Sequence, residues 1–127
     1  MQQNEWKVLI IEDEPDSLAL IQTILDHRHI ASHGVRTAEE ALEIMDEVHP
    51  TLLIIDLALP HMDGWGFLQH LRENPSLNSV PKVAITAFHT PLLAAKAISA
   101  GFDAFIPKPI DVTSFIEDLD DIVKDKI

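Results

Sequence analysis

An apolar run, Leu52 to Ile55, ends in the carboxylate of Asp56, and Pro60 and Asp63–Gly64 follow it closely. A second run, KVLII at residues 7–11, ends in Glu12–Asp13; a third, VPKVAIT at 80–86, ends in Thr86; Lys108 stands just past a fourth, AFIP at 104–107. As parallel strands of one sheet, these runs would bring three carboxylates, a hydroxyl and an ammonium to the same rim, the edge where open α/β sheets bind ligands. Carboxylates crowded together repel, so some hold protons or a cation neutralises them. Hard carboxylate oxygens with open positions suit Mg²⁺, which prefers octahedral oxygen coordination and retains several waters. A cation beside a carboxylate, an ammonium and a hydroxyl is a receptacle for a tetrahedral anion. In it Asp56 is the nucleophile, Mg²⁺ and Lys108 offset charge on phosphoryl oxygens, and Thr86 donates a hydrogen bond. These are the requirements of phosphoryl transfer, where catalysis is mostly positioning and electrostatics, and an aspartyl phosphate is an established covalent species.

Taken singly, each residue has a plainer use. Asp56 could cap the turn after its strand, Glu12 and Asp13 could cap a helix, Thr86 could be an ordinary strand residue and Lys108 a solvated surface charge. Their joint placement favours chemistry.

The elements that must position them alternate. After the first strand, a helix from Pro15 carries Leu18, Ile21 and Leu25 at helical spacing. A short strand around Ser32–Val35 leads to a T-x-x-E capping box, Thr37 and Glu40, ahead of Ala38, Ala41, Leu42 and Met45 on one face. Phe67, Leu68 and Leu71 mark a third helix. Thr90–Pro91 opens a fourth and Gly101 stops it. Asp111 is placed as the N-cap of a fifth, whose stripe is Phe115, Ile116, Leu119, Ile122 and Val123. Strict strand–helix alternation predicts a doubly wound α/β fold with right-handed crossovers and helices on both faces.

The bulk composition narrows the function. A chain of 127 residues with 46% hydrophobic content fits one domain, residues 1–127. It has no apolar run near the ~20 residues a membrane span requires, and MQQNEWKVLIIEDEP is not a signal peptide. With no cysteine there is neither disulfide nor thiolate chemistry, which fits a cytoplasmic protein. A net charge of −12 makes direct DNA binding a poor reading, because that binding draws on Lys and Arg. The seven histidines, including His27, His29 and His89, show no metal-ligand spacing.

In order and spacing, IIEDEP, IIDLALPHMDG, AITA and GFDAFIPKP resemble the receiver domain of two-component response regulators, essentially end to end. The resemblance implies a flavodoxin-like, five-stranded parallel sheet in the order 2-1-3-4-5 with five helices. It implies that Asp56 accepts phosphate from a histidine kinase or phosphotransfer protein. Asp13, Asp56 and the backbone carbonyl of Ala58 would hold Mg²⁺, with Glu12 acting through water. Lys108 would contact the phosphate, Thr86 and Phe105 would be the switch pair, and Pro109 would shape the next turn. Three positions depart from the commoner pattern. The acidic pair is Glu–Asp rather than Asp–Asp, Ala58 offers no polar side chain, and Phe105 lacks the hydroxyl of a tyrosine.

Output is expected through a protein partner at the face of the fourth helix, fifth strand and fifth helix. The exposed side of that last helix is Glu117, Asp118, Asp120, Asp121 and Asp125, so a monomer or weak dimer is expected. Two other readings use the same residues: an interaction module that takes no phosphate, against which Asp56, Thr86 and Lys108 argue, and an aspartyl-nucleophile phosphohydrolase. The latter usually carries an acid/base Asp where this chain has Ala58.

Overall fold

The computed structural model describes residues 2–88 and 90–126; His89 lies outside them. Five strands, β1 (Lys7–Ile11), β2 (Ala31–Val35), β3 (Leu52–Asp56), β4 (Lys82–Thr86) and β5 (Ala104–Pro107), form one sheet in the order β2-β1-β3-β4-β5. Every pairing is parallel. Because the strands run in one direction, β1, β3, β4 and β5 deliver Glu12–Asp13, Asp56, Thr86 and Lys108 to one edge.

The sheet's two faces are covered by α1 (Pro15–His27), α2 (Ala38–Val48), α3 (Gly64–Leu71), α4 (Pro91–Ala100) and α5 (Phe115–Lys126). Strand residues alternate between the two cores, as the period of a pleated strand requires. Leu9, Ile11, Leu53 and Ile55 meet Ala41, Met45, Phe67, Leu68 and Ala97 on the side of α2, α3 and α4. Val8, Ile10, Leu52 and Ile54 meet Ile21, Leu25, Phe115 and Leu119 on the side of α1 and α5. Every residue of β3 and β4 is buried, which is why Leu52–Ile55 and Val83–Ile85 read as continuous apolar runs.

Helix starts follow side-chain chemistry. Thr37 Oγ1 accepts the Glu40 N–H, Asp63 Oδ1 accepts the Gly66 N–H and Thr90 Oγ1 accepts the Leu93 N–H, each satisfying an orphan donor of a first turn. Gly101 ends α4 at a φ of 122°, which only glycine adopts without strain.

Two boundaries differ from the sequence expectation. Asp111 Oδ1 accepts the Thr113 N–H at 3.0 Å and so shapes a turn, while α5 proper begins at Phe115. β4 begins at Lys82 rather than Val80, since Pro81 has no N–H to give the sheet. The Lys82 ammonium is buried and donates to the carbonyls of Leu77 and Val80, both at 2.7 Å; desolvation lowers its pKa.

α4 is the most lightly seated helix. Ala97 is its one buried residue, and Leu92 and Ile98 are exposed to solvent.

Candidate phosphoacceptor site

Asp56 ends the central strand with its side chain almost wholly buried. Its backbone N–H and carbonyl belong to the β-sheet region, and the turn after it is fixed at two points. The Leu57 N–H reaches across to the Ile85 carbonyl at 2.9 Å. The Ala58 N–H donates to Asp56 Oδ1 at 2.9 Å, which orients the carboxylate and leaves Oδ2 facing Lys108 Nζ at 3.2 Å.

Gly64 is what lets the chain return so closely. A Cβ there would lie 2.6 Å from the Asp56 carbonyl oxygen and 2.8 Å from Leu57 Cα. The pair Asp63–Gly64 therefore caps α3 and, in the same step, allows its first turn to lie against the backbone of Asp56.

Lys108 reaches the site from just beyond β5, held by its N–H on the Thr86 carbonyl at 2.9 Å. The Lys108–Pro109 peptide is cis. The Lys108 ammonium bridges two carboxylates, Glu12 at 2.5 Å and Asp56 at 3.2 Å. Glu12 is fully buried, and its second oxygen accepts the Glu14 N–H at 3.3 Å. Asp13 is half-exposed. One oxygen each of Glu12, Asp13 and Asp56 lies within 4.8 Å of the others. A hollow of about 360 Å³ opens above them, lined by Asp13, Asp56, Ala58, Ala87, Phe88 and Lys108 among others.

Burial first, and the neighbouring Asp56 carboxylate next, push the Glu12 pKa from 4.5 up to about 7, against the pull of Lys108. Burial works to lower the Lys108 pKa, but its two carboxylate partners outweigh it and raise the value. Glu12 thus holds a proton more tightly in the folded chain than in the unfolded one. Its contribution to stability is complete below about pH 4.5 and is lost as pH rises to about 7. Over that window we expect a loss of up to about 3 kcal/mol, and Glu12→Gln is expected to flatten this slope. Urea midpoints measured across the window check it; parallel profiles for parent and variant would assign the slope to other groups.

Thr86 ends β4, buried at the same edge, and its hydroxyl accepts the Phe88 N–H at 3.2 Å. Phe105 lies in β5 opposite Ala84, half-buried against the α2–α3–α4 core. Glu12, Asp13, Asp56 and Lys108 are thus brought into one cluster. Thr86 joins them at the rim, Ala58 lines the hollow, and Phe105 sits lower on its strand. Ala87 entered the sequence analysis only as the last residue of the AITA motif, and Phe88 not at all; both are walls of the hollow.

The chain matches the family model for the response regulator receiver domain over residues 8–120. It belongs to the receiver domain family. The polar-differentiation response regulator DivK of Brucella abortus is 31% identical over 110 residues, covering 87% of this chain and 89% of that protein. An uncharacterized 14.6 kDa protein of Leptolyngbya boryana is 30% identical over 112 residues, covering 88% of this chain and 86% of that one. Among solved structures, the signal receiver domain of a histidine kinase from Syntrophus aciditrophicus superposes with a TM-score of 0.83 at 26% identity, over 94% of this chain and 91% of that one. A Francisella response regulator receiver domain superposes with a TM-score of 0.85 at 22% identity, over 97% and 100% of the two chains. The strand order implied by the resemblance is the order observed, and the receiver fold accounts for all five helices. Receiver domains are signalling domains of two-component systems, and phosphoryl acceptance is their general function. No helix among the described residues is long and apolar enough to cross a membrane.

The donor set suits a divalent cation. Three carboxylates share the cluster with one ammonium, and among the described residues this is the one group of His, Cys, Asp and Glu side chains close enough to hold a metal. All its donors are hard oxygens, the preference of Mg²⁺.

Proposed function

We propose that this receiver domain takes a phosphoryl group onto Asp56 from a histidine kinase or phosphotransfer protein, in the presence of Mg²⁺, and signals the change to a protein partner. The observation that carries this reading is the setting of Asp56: a buried carboxylate facing an open hollow, with Lys108 Nζ 3.2 Å from one oxygen and the Ala58 N–H 2.9 Å from the other.

The step is a displacement at phosphorus. An Asp56 oxygen forms the new O–P bond, the N–P bond of the donor phosphohistidine breaks, and its electron pair returns to the imidazole. Lys108 would counter charge on the phosphoryl oxygens. Asp13 and Asp56, with the Ala58 carbonyl, would hold the cation directly, and Glu12, whose oxygens engage Lys108 and the Glu14 N–H, would act through water. The bound cation would supply further charge neutralisation at the phosphoryl group. Thr86 would then donate its hydroxyl to a phosphoryl oxygen, and Phe105 would move inward as Thr86 leaves its present place.

That change would be read at the face of α4, β5 and α5. The outer side of α5 presents Glu117, Asp118, Asp121 and Asp125 to solvent. Two copies joined there would repel, so a monomer or weak dimer is expected, with a partner bearing basic or apolar groups. The same acidity argues against direct nucleic-acid binding.

Acetyl phosphate with Mg²⁺ should add the mass of one phosphoryl group, mapped to Asp56 by peptide mass spectrometry. An unmodified chain under those conditions, and with a phosphorylated histidine phosphotransfer domain, would leave the module that takes no phosphate as the better reading. Asp13→Asn is expected to weaken Mg²⁺ by about tenfold or more, as loss of a direct ligand should. Trp65, half-buried in the first turn of α3, gives the fluorescence readout; equal affinity in the variant would remove Asp13 from the ligand set.

A further inference from the structure

The turn between β2 and α2 reaches both loops that carry the candidate carboxylates. Arg36, the residue after β2, donates from its guanidinium to the backbone carbonyl of Asp13 at 3.1 Å. Glu39, in the first turn of α2, accepts the N–H of Met62 at 3.3 Å, in the loop that runs from Asp56 to α3. Both side chains are exposed and neither lines the hollow, so they neither fill the core nor touch a ligand there. The Glu12 N–H already ties its loop to the end of β2 through the Val35 carbonyl at 3.0 Å. Arg36 adds a second tie one residue further along each strand.

We propose that Arg36 and Glu39 are positioning residues for the divalent cation, holding the Asp13 turn and the Asp56 loop at the separation that lets their carboxylates share it. The inference rests on the cation reading given above. Carboxylates that repel one another tend to splay the loops that bear them, and a site assembled beforehand binds more tightly than one assembled on binding. Outer groups that orient ligands are for this reason a recognised determinant of metal affinity.

Arg36 makes the idea testable because its charge and its hydrogen bond act in opposite directions. A guanidinium near a cation site repels the cation, so removing charge alone tightens binding. Removing the tie weakens it. Mg²⁺ alone, titrated by tryptophan fluorescence and by calorimetry, should bind Arg36→Met about tenfold more weakly than the parent, the low end of the range for outer groups. Glu39→Ala should weaken binding similarly, while Glu39→Gln, whose amide oxygen accepts the same N–H, should stay near the parental value. Metal-free melting temperatures should be alike for all four proteins, since both positions are exposed. Arg36→Met binding as well as the parent or better, or Glu39→Gln binding as weakly as Glu39→Ala, overturns the inference while leaving the site intact. A parent chain with no saturable Mg²⁺ response overturns the cation reading and this inference together.

Discussion

Asp56→Asn is expected to abolish phosphoryl incorporation while the chain keeps its fold. Asparagine is nearly isosteric, and its Oδ1 can still accept the Ala58 N–H that now holds the carboxylate. The amide is not a nucleophile, so incorporation from acetyl phosphate should fall by on the order of a thousandfold or more, the scale on which removing an attacking group acts. Stability should not fall with it. The substitution removes one charge from a cluster of three carboxylates balanced by one ammonium, and Asp56 is among the groups that push the Glu12 pKa upward. Thermal melting at neutral pH, without metal, should therefore be unchanged or higher. Incorporation at the parental level in the variant would move the acceptor to another residue. A large drop in melting temperature would mean that the carboxylate serves the fold more than the site.

Gly64→Ala is the second large effect, and it runs the other way, through the backbone. The added methyl would meet the Asp56 carbonyl oxygen at 2.6 Å and Leu57 Cα at 2.8 Å. Neither is a flexible tip that can swing aside. Relief requires α3 to move away from the end of β3, at a cost of about 1–3 kcal/mol, the range for over-packing. It should also displace the loop after Asp56 and slow phosphoryl incorporation. Gly66→Ala is the matched control: its methyl would meet Met62 Cγ at 3.2 Å and Asp63 Oδ1 at 3.6 Å, both side-chain atoms that can give. Alanine is the better helix former there, so urea unfolding should show little loss or a small gain. Equal losses in the two variants would refute the close approach as the reason for Gly64.

The parts of this molecule that could be read from sequence are those whose physics is local. Buried parallel strands are continuous apolar runs, and Leu52–Ile55 and Val83–Ile85 are buried throughout. Thr37, Thr90 and Gly101 act within a turn of their own helix, so spacing alone placed them. Once the runs were strands of one parallel sheet, the shared rim followed and with it the cluster of Glu12, Asp13, Asp56 and Lys108. Asp111 shows where such reading stops short: its side chain is satisfied two residues on by Thr113, and α5 begins only at Phe115. Lys82 reads as a charged interruption in an apolar strand, and only the fold reveals the two carbonyls that accept its ammonium. The ties from Arg36 and Glu39 each join residues 23 apart in sequence. No periodicity records such contacts, because they depend on which loops the sheet order makes neighbours.

The shallow seating of α4 has a consequence for the timescale on which the molecule opens. A helix with Ala97 as its one fully buried residue, Leu93 and Ala100 only partly covered, and Leu92 and Ile98 in water, gains less from staying docked than its neighbours do. Its amides should exchange with solvent through local opening, at a free energy well below that of global unfolding, while those of β3 and β4 wait for the whole domain to unfold. Hydrogen exchange resolved by residue should therefore rank α4 ahead of α1, which buries Ile21, Ile24 and Leu25. If exchange shows that opening, a modest differential affinity at the rim would be enough to shift the population of α4 to a new position.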